Sequence, residues 1–207
     1  MIETSSSPKE SKKILQSYSF APVVVLEILR TFGAGLMGSA VSNHLLLELS
    51  YEEHIGSLVS SMYFFGFLFF TLIFGHASDK YGRKKVILVV EVLAVALCVL
   101  YLIPIRSNVS LGFFAFWRFL DGGMNGIFWP TIQSYSIFAG KFGPHRKEQF
   151  IKGYNFGWNF GLVLGMVGGA LFVFATGSNY QVFYFNLVVV SLGLIVTVIS
   201  LKSVSDV

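Results

Sequence analysis

Two acidic and two basic side chains lie in segments that are otherwise apolar, and they form two closely spaced pairs. Glu27 and Arg30 are three residues apart, and so are Arg118 and Asp121. On a helix, residues at this spacing are neighbours one turn apart. A charge at the centre of a membrane helix costs about 2.5–3.5 kcal/mol on insertion scales, so each should face a cavity or an opposite charge. These four residues are therefore candidates for substrate contact or proton coupling, with a structural ion pair as the alternative for Arg118 and Asp121.

The composition indicates that these charges are carried by membrane helices. Of the 207 residues, 54% are hydrophobic and 13% are charged, whereas about 25% are charged in a typical soluble domain. The 16% aromatic content also excludes a disordered chain. A helix needs about 20 apolar residues to cross the hydrocarbon core. We therefore predict an all-α integral membrane protein, a bundle of six transmembrane helices over residues 20–42, 55–74, 86–105, 111–139, 153–176 and 181–201.

The basic residues between the spans predict the orientation. Of the 15 Lys and Arg residues, 12 lie on one side of the predicted membrane, Arg106 lies on the other side, and two lie within spans. Because cytoplasmic loops collect Lys and Arg, both termini are predicted to be cytoplasmic, in a cell or plasma membrane. Residues 1–17 are predicted to form a disordered cytoplasmic tail before a six-helix unit over residues 18–203. The lipid bilayer is thus an expected partner, and nucleic acid is not, because the basic residues form no single exposed face.

The loop after the second span carries the most specific pattern. Asp79 is one acid among basic residues, and its expected partner is Arg83 or a helix N-terminus. The segment resembles the G-x-L-A-D-R-x-G-R-K loop between helices two and three of the major facilitator superfamily. The residues that carry the resemblance are Gly75, Asp79, Lys80, Gly82, Arg83 and Lys84, with Lys80 a conservative replacement. The resemblance implies a cytoplasmic gating loop that contacts the opposite half of a transporter.

The fourth span supplies a second match to the same family. Arg118, Asp121, Gly122 and Gly126 resemble the R-x-x-q-G pattern of its fourth helix. The resemblance implies that helices one and four line a central cavity. Spans one and four also share an Arg followed by Gly at the fifth and eighth positions after it, which is a trace of the three-plus-three repeat of such transporters.

Glycines recur every fourth residue in the fifth span and predict close helix packing. Gly161, Gly165 and Gly169, together with Gly122 and Gly126 of span four, are the predicted packing positions. The fifth span also resembles a glycine motif of the family's drug antiporters. Met166 stands where that motif has proline, so the resemblance does not extend to a prediction of antiport.

The resemblance implies a secondary active transporter of small solutes that works by alternating access, and not an enzyme. It implies no cofactor and no metal, although a proton or ion gradient is a candidate energy source. It covers about residues 20–202 and the N-terminal six-helix half of the family fold. We therefore expect a half-length or truncated form that needs a second six-helix half, from a homodimer or a separately encoded chain. The alternative is a non-transporting membrane partner or sensor, or an inactive fragment, that retains the half-fold.

Two predictions concern polar residues without a motif. Glu91, inside span three, is expected to snorkel towards the cytoplasmic end, with a proton site as the alternative. The histidines, including His44, His54 and His76, lie at or near span ends and are expected to be solvated interface residues.

Overall fold

The structure, a computed structural model, describes residues 21–105, 110–140 and 144–201. Its described part contains six long helices and no strand, which confirms the predicted all-α class. The predicted tail over residues 1–17 lies outside the described residues. The long helices are α1 (Ala21–Asn43), α2 (Glu53–Phe74), α3 (Arg83–Ile105), α4 (Leu111–Gly140), α5 (Pro144–Thr176) and α6 (Asn179–Ser200).

Two helix ends differ from the predicted spans by more than three residues. A π-helical turn, His44–Glu48, continues α1 beyond the predicted end at residue 42. The helix α5 begins at Pro144 rather than at residue 153, so its polar first turns precede the apolar run. Apolar periodicity marks the part of a helix that crosses the bilayer, and a polar extension of the same helix leaves no such mark.

Five of the helices in the described part are long and apolar enough to cross a membrane: α1, α2, α3, α5 and α6. The helix α4 has 30 residues, which is also sufficient length. It is not among the five because Arg118, Asp121 and Asn125 lower its mean hydropathy. The long helix outside this group of five is thus one of the two that carry a predicted charge pair.

Two closely packed helix pairs organise the bundle, and glycines allow both. The helix α5 packs on α1. A Cβ added to Gly157 would lie 2.6 Å from the Cβ of Glu27, and a Cβ added to Gly161 would lie 2.6 Å from the carbonyl oxygen of Ile28. Gly165 faces the backbone of Phe32 in the same way. Backbones approach this closely only where side chains are absent. We call this contact the α1–α5 seam.

The second pair is α2 and α4, which meet in what we call the α2–α4 seam. A Cβ on Gly122 would overlap the carbonyl oxygen of Tyr63, and one on Gly126 would overlap that of Phe67. Gly66 of α2 faces α4 in return, against the carbonyl group of Phe119. The structure therefore places the predicted packing glycines of α4 in this contact and those of α5 in the α1–α5 seam, where Gly169 packs against Leu36 and Ser39.

The two seams follow the repeat seen in the sequence. Gly35, five residues after Arg30, lies against α5, with a Cβ position 3.0 Å from the carbonyl oxygen of Leu162. Gly123, five residues after Arg118, lies against α2, with a Cβ position 2.7 Å from the ring of Phe70. The packing of α1 on α5 thus corresponds to that of α4 on α2. The repeat is incomplete, because a Cβ on Gly38 would meet no atom within 4 Å.

Candidate functional site

Arg118 and Asp121 form an ion pair on one face of α4. The Nη1 atom of Arg118 lies 2.6 Å from Oδ2 of Asp121. The guanidinium carbon also lies 4.7 Å from the ring centroid of Tyr63 on α2, within range of a cation–π contact. Arg118 is only 4% exposed, so its charge is balanced inside the bundle.

Arg30 is equally buried but pairs across helices. Its Nε donates a hydrogen bond to Oδ1 of Asn125 at 3.0 Å. Its Nη1 lies 3.8 Å from Oε2 of Glu91 on α3, which makes an ion pair. The ring of Phe128 covers the guanidinium carbon at 5.4 Å. Arg30 therefore links α1 to both α3 and α4.

Asn125 joins the two arginine sites. Its Nδ2 donates to the main-chain oxygen of Asp121 at 2.9 Å. The residues Glu91, Arg30, Asn125, Asp121 and Arg118 thus form one connected chain of polar contacts across three helices. We call these five residues the buried polar network. Asn125 was not predicted as a site residue, although the sequence places this amide one turn after Asp121 within an apolar span.

The prediction that Glu91 snorkels to the membrane surface is wrong. The residue is 1% exposed and faces the interior of the bundle. Arg30 provides the opposite charge, and Gly193 of α6 leaves room, with a Cβ position 3.2 Å from Oε2 of Glu91. A buried carboxylate needs such a partner, because a charge removed from water without one is strongly destabilising.

Glu27 is not the partner of Arg30, although it lies one turn away. Its side chain is fully buried against Gly157 in the α1–α5 seam. Neither carboxyl oxygen has a hydrogen-bond partner among the described residues. Glu91 and Asp121 each pair with an arginine, whereas Glu27 does not. Burial in the charged form is therefore more costly for Glu27 than for the other two acids.

The space beside the network is small in this conformation. A cavity of about 20 Å³ lies between Arg30, Asp121, Asn125, Cys98 and Asn186. That volume accommodates a water molecule, whereas solute sites span roughly 300–1,000 Å³. The structure thus brings Arg30, Arg118 and Asp121 together inside the six-helix bundle, and the cavity that Arg30 and Asp121 line has the size of a water molecule.

The predicted gating loop is tied to the body of the bundle through Arg83. Asp79 Oδ1 lies 3.7 Å from Nη2 of Arg83, one turn away. The Nε of Arg83 donates to Oγ of Ser134 on α4 at 2.8 Å. The loop and the helix that carries the network are therefore in direct contact.

The other loop residues shape the turn or carry charge. Gly82 has a φ of 87°, a backbone conformation that favours glycine. Gly75 ends α2, and a Cβ there would overlap the carbonyl oxygen of Thr71. The amino group of Lys80 lies 5.3 Å from the ring centroid of Tyr81, and Lys84 is half-buried in the first turn of α3.

His44 lies in a buried cluster and contradicts its predicted solvation. It is 1% exposed, with Nδ1 2.7 Å from Oε2 of Glu48. The rings of Phe114, Tyr180 and Phe183 surround it. The π-helical turn that extends α1 places it under α6, which the apolar pattern could not predict. His54 and His76 are exposed as predicted.

Sequence reasoning also missed two exposed amides on α5. Asn155 and Asn159 lie away from the α1–α5 seam, one turn apart, and Asn159 Nδ2 donates to the carbonyl oxygen of Asn155 at 2.8 Å. The stacked rings of Phe156 and Phe160 lie beside them. In the described part of the chain, no group of three His, Cys, Asp or Glu residues could hold a metal ion.

Comparisons with known proteins agree with this fold. Residues 23–205 match the Major Facilitator Superfamily. The probable transporter MCH2 of Saccharomyces cerevisiae is 34% identical over 88 residues, which are 42% of this chain and 18% of that protein. A mutant of the peptide transporter POT, crystallised with sulfate, superposes with a TM-score of 0.74 at 19% identity, over 91% of this chain and 40% of that one. The chain therefore spans less than half the length of either relative.

Proposed function

This chain belongs to the Major Facilitator Superfamily, a family of transporters rather than enzymes, and we propose that it forms one six-helix half of a secondary transporter for small solutes. Two such halves would rock about a shared site to expose it alternately to each side of the membrane. The observation that carries the proposal is the buried polar network, which lies within membrane helices. Charged residues in such positions mark pathways more often than they serve only as structure.

The proposed second half is another copy of this chain or a separately encoded six-helix unit. Support comes from α2 and α5, the least buried helices of the bundle. Besides apolar side chains, α5 exposes the amides of Asn155 and Asn159. Lipid cannot satisfy these amides, whereas a second half or a water-filled cavity between the halves can.

We assign Glu27, Arg30, Arg118 and Asp121 to solute contact or to coupling with a proton or ion gradient. Among them, Glu27 is the proposed proton carrier, because its carboxyl group has no partner in the described residues. Arg118 and Asp121 neutralise each other at 2.6 Å. A solute that binds either residue, or a proton that binds Asp121, would therefore release the other residue from the pair.

The direct test is solute uptake into proteoliposomes that contain the purified chain. Counterflow with a panel of amino acids, short peptides, sugars and carboxylic acids works whatever the coupling ion is. We expect at least one solute to exchange faster than in protein-free liposomes, and Glu27→Gln to change its dependence on pH. A folded protein that exchanges no member of the panel, either alone or reconstituted together with the partner to which it cross-links in native membranes, would favour the non-transporting alternative.

We also propose that the protein lies in the plasma membrane with both termini in the cytoplasm, as the distribution of Lys and Arg suggests. Gln149 and Gln181 are exposed residues near the first turns of α5 and α6, at opposite ends of the bundle. In a Cys98→Ala background, Gln181→Cys should react with an impermeant thiol reagent in intact cells. Gln149→Cys should react only after permeabilisation, and the reverse pattern would invert the topology.

A further inference from the structure

An apolar groove opens between α2, α3 and α4 at the end of the bundle that carries the predicted gating loop. Its volume is about 450 Å³, and all the surface that lines it is apolar. Residues from the three helices form its walls and floor: Phe70, Phe74, Val86, Val89, Met124 and Ile127.

A basic recess of about 390 Å³ adjoins this groove. Tyr81 and Lys85 line both spaces, so the groove leads into the recess. Lys80, Arg83 and Lys85 line the recess together with one acid, Asp79, which pairs with Arg83 at 3.7 Å. The recess therefore has a net positive charge of about two, located where the membrane helices end.

We propose that the groove and the recess together bind one anionic phospholipid. An acyl chain occupies the groove, and the phosphate group lies in the recess near Lys80 and Lys85. The site is separate from the buried polar network, and the inference does not depend on transport.

The chemistry of the two spaces favours this occupant over a solute. A polar solute needs convergent polar groups to orient it, whereas the surface of the groove is apolar and Tyr81 and Lys85 lie where it meets the recess. An acyl chain needs only apolar contact, and a groove open towards the bilayer is accessible to it. The adjoining positive charge adds a preference for an anionic headgroup, since each Lys or Arg near an anionic lipid surface contributes to binding.

The test uses the full chain in nanodiscs that contain equal amounts of phosphatidylglycerol and phosphatidylcholine. After extraction from the nanodiscs, native mass spectrometry measures the ratio of the two lipids that stay bound to the protein. We expect the wild-type chain to retain phosphatidylglycerol preferentially. The Lys80→Gln, Lys85→Gln double variant should lose about 30-fold of that preference, which corresponds to about fivefold for each lysine. Lys152→Gln is the matched control, because Lys152 is an exposed lysine outside the recess, and it should retain the wild-type ratio.

A second variant tests the groove without changing charge. Val89 lines the groove and is 57% exposed, whereas Val92 on the same helix is 48% exposed and lies outside it. Val89→Phe should fill the groove and reduce the phosphatidylglycerol retained, and Val92→Phe should not. This pair also decides the question if the lysine variant fails to fold.

Three results would overturn the proposal. The first is an unchanged ratio in the lysine variant, and the second is equal retention by the two phenylalanine variants. The third comes from adding inorganic phosphate to lipid-free protein in neutral detergent. If phosphate raises the melting temperature as much as phosphatidylglycerol does, the recess is a site for the free anion rather than for a lipid.

Discussion

Arg30 and Arg118 occupy corresponding places in the sequence repeat and are similarly buried, at 6% and 4% exposure, yet they are neutralised differently. Arg118 pairs with Asp121 of its own helix at 2.6 Å. Arg30 depends on Asn125 of α4 at 3.0 Å and on Glu91 of α3 at 3.8 Å. The first pair needs only a helix, whereas the second needs three helices in the correct register.

Helix geometry explains why two charged residues three positions apart pair with each other in α4 but not in α1. Residues three apart differ by about 60° around a helix axis, so they can face each other or face different neighbours. Asp121 and Arg118 face each other. Glu27 faces Gly157 of α5, while Arg30 faces α3 and α4. Sequence spacing thus places two charges close together, but packing decides whether they pair.

The largest effect should follow from removing Arg30. Arg30→Met leaves the carboxylate of Glu91 buried without its cation, which typically costs about 3–5 kcal/mol. The measurement is equilibrium unfolding by SDS in mixed micelles, followed by far-ultraviolet circular dichroism. A loss under about 1 kcal/mol would mean that the cross-helix pair contributes little to stability.

A smaller effect should follow from widening the α2–α4 seam, which holds Tyr63 over Arg118. Gly122→Ala places a Cβ against the backbone of Tyr63, and such overpacking costs about 1–3 kcal/mol. Gly161→Ala should act similarly in the α1–α5 seam that positions Arg30. Gly38→Ala is the control, because its Cβ meets no atom within 4 Å, and it should unfold at the same or a higher SDS fraction.

Removing Arg118 should cost less than removing Arg30. Asp121 is only partly buried and lies 3.5 Å from the amide nitrogen of Asn125, so the cost of leaving it unpaired is about 1–3 kcal/mol. Arg118→Ala with Asp121→Ala should recover most of this stability. Under the proposed function, this double variant inserts normally but exchanges no solute, and full exchange activity would assign the pair a purely structural role.

The smallest effect on stability should come from Glu27→Gln. The carboxyl group accepts no hydrogen bond from any described residue, and the amide has nearly the same shape, so we expect a change under about 1 kcal/mol. Glu91→Gln should cost more, because it removes the anion that balances Arg30. Equal costs for the two substitutions in the SDS titration would contradict the distinction between these acids.

The sequence predicted what depends on composition and local spacing. Long apolar runs indicated six helices, and the resemblance of the Gly75–Lys84 loop identified the family, which the comparison confirms. What the sequence did not predict depends on neighbours. Glu91 looked like a lone acid because its cation is far away in the chain, and His44 looked solvated because nothing marked the turn that buries it.

The central claim is that Arg30 and Glu91 neutralise each other across helices, at one end of the network that Asn125 and Asp121 connect to Arg118. A double-mutant cycle of Arg30→Met and Glu91→Met, measured by SDS unfolding, tests it directly. We expect the double variant to lose much less stability than the sum of the two single losses, with a coupling energy of about 2 kcal/mol or more. Additive losses, within about 0.5 kcal/mol, would show that the pair is not coupled and would contradict the claim.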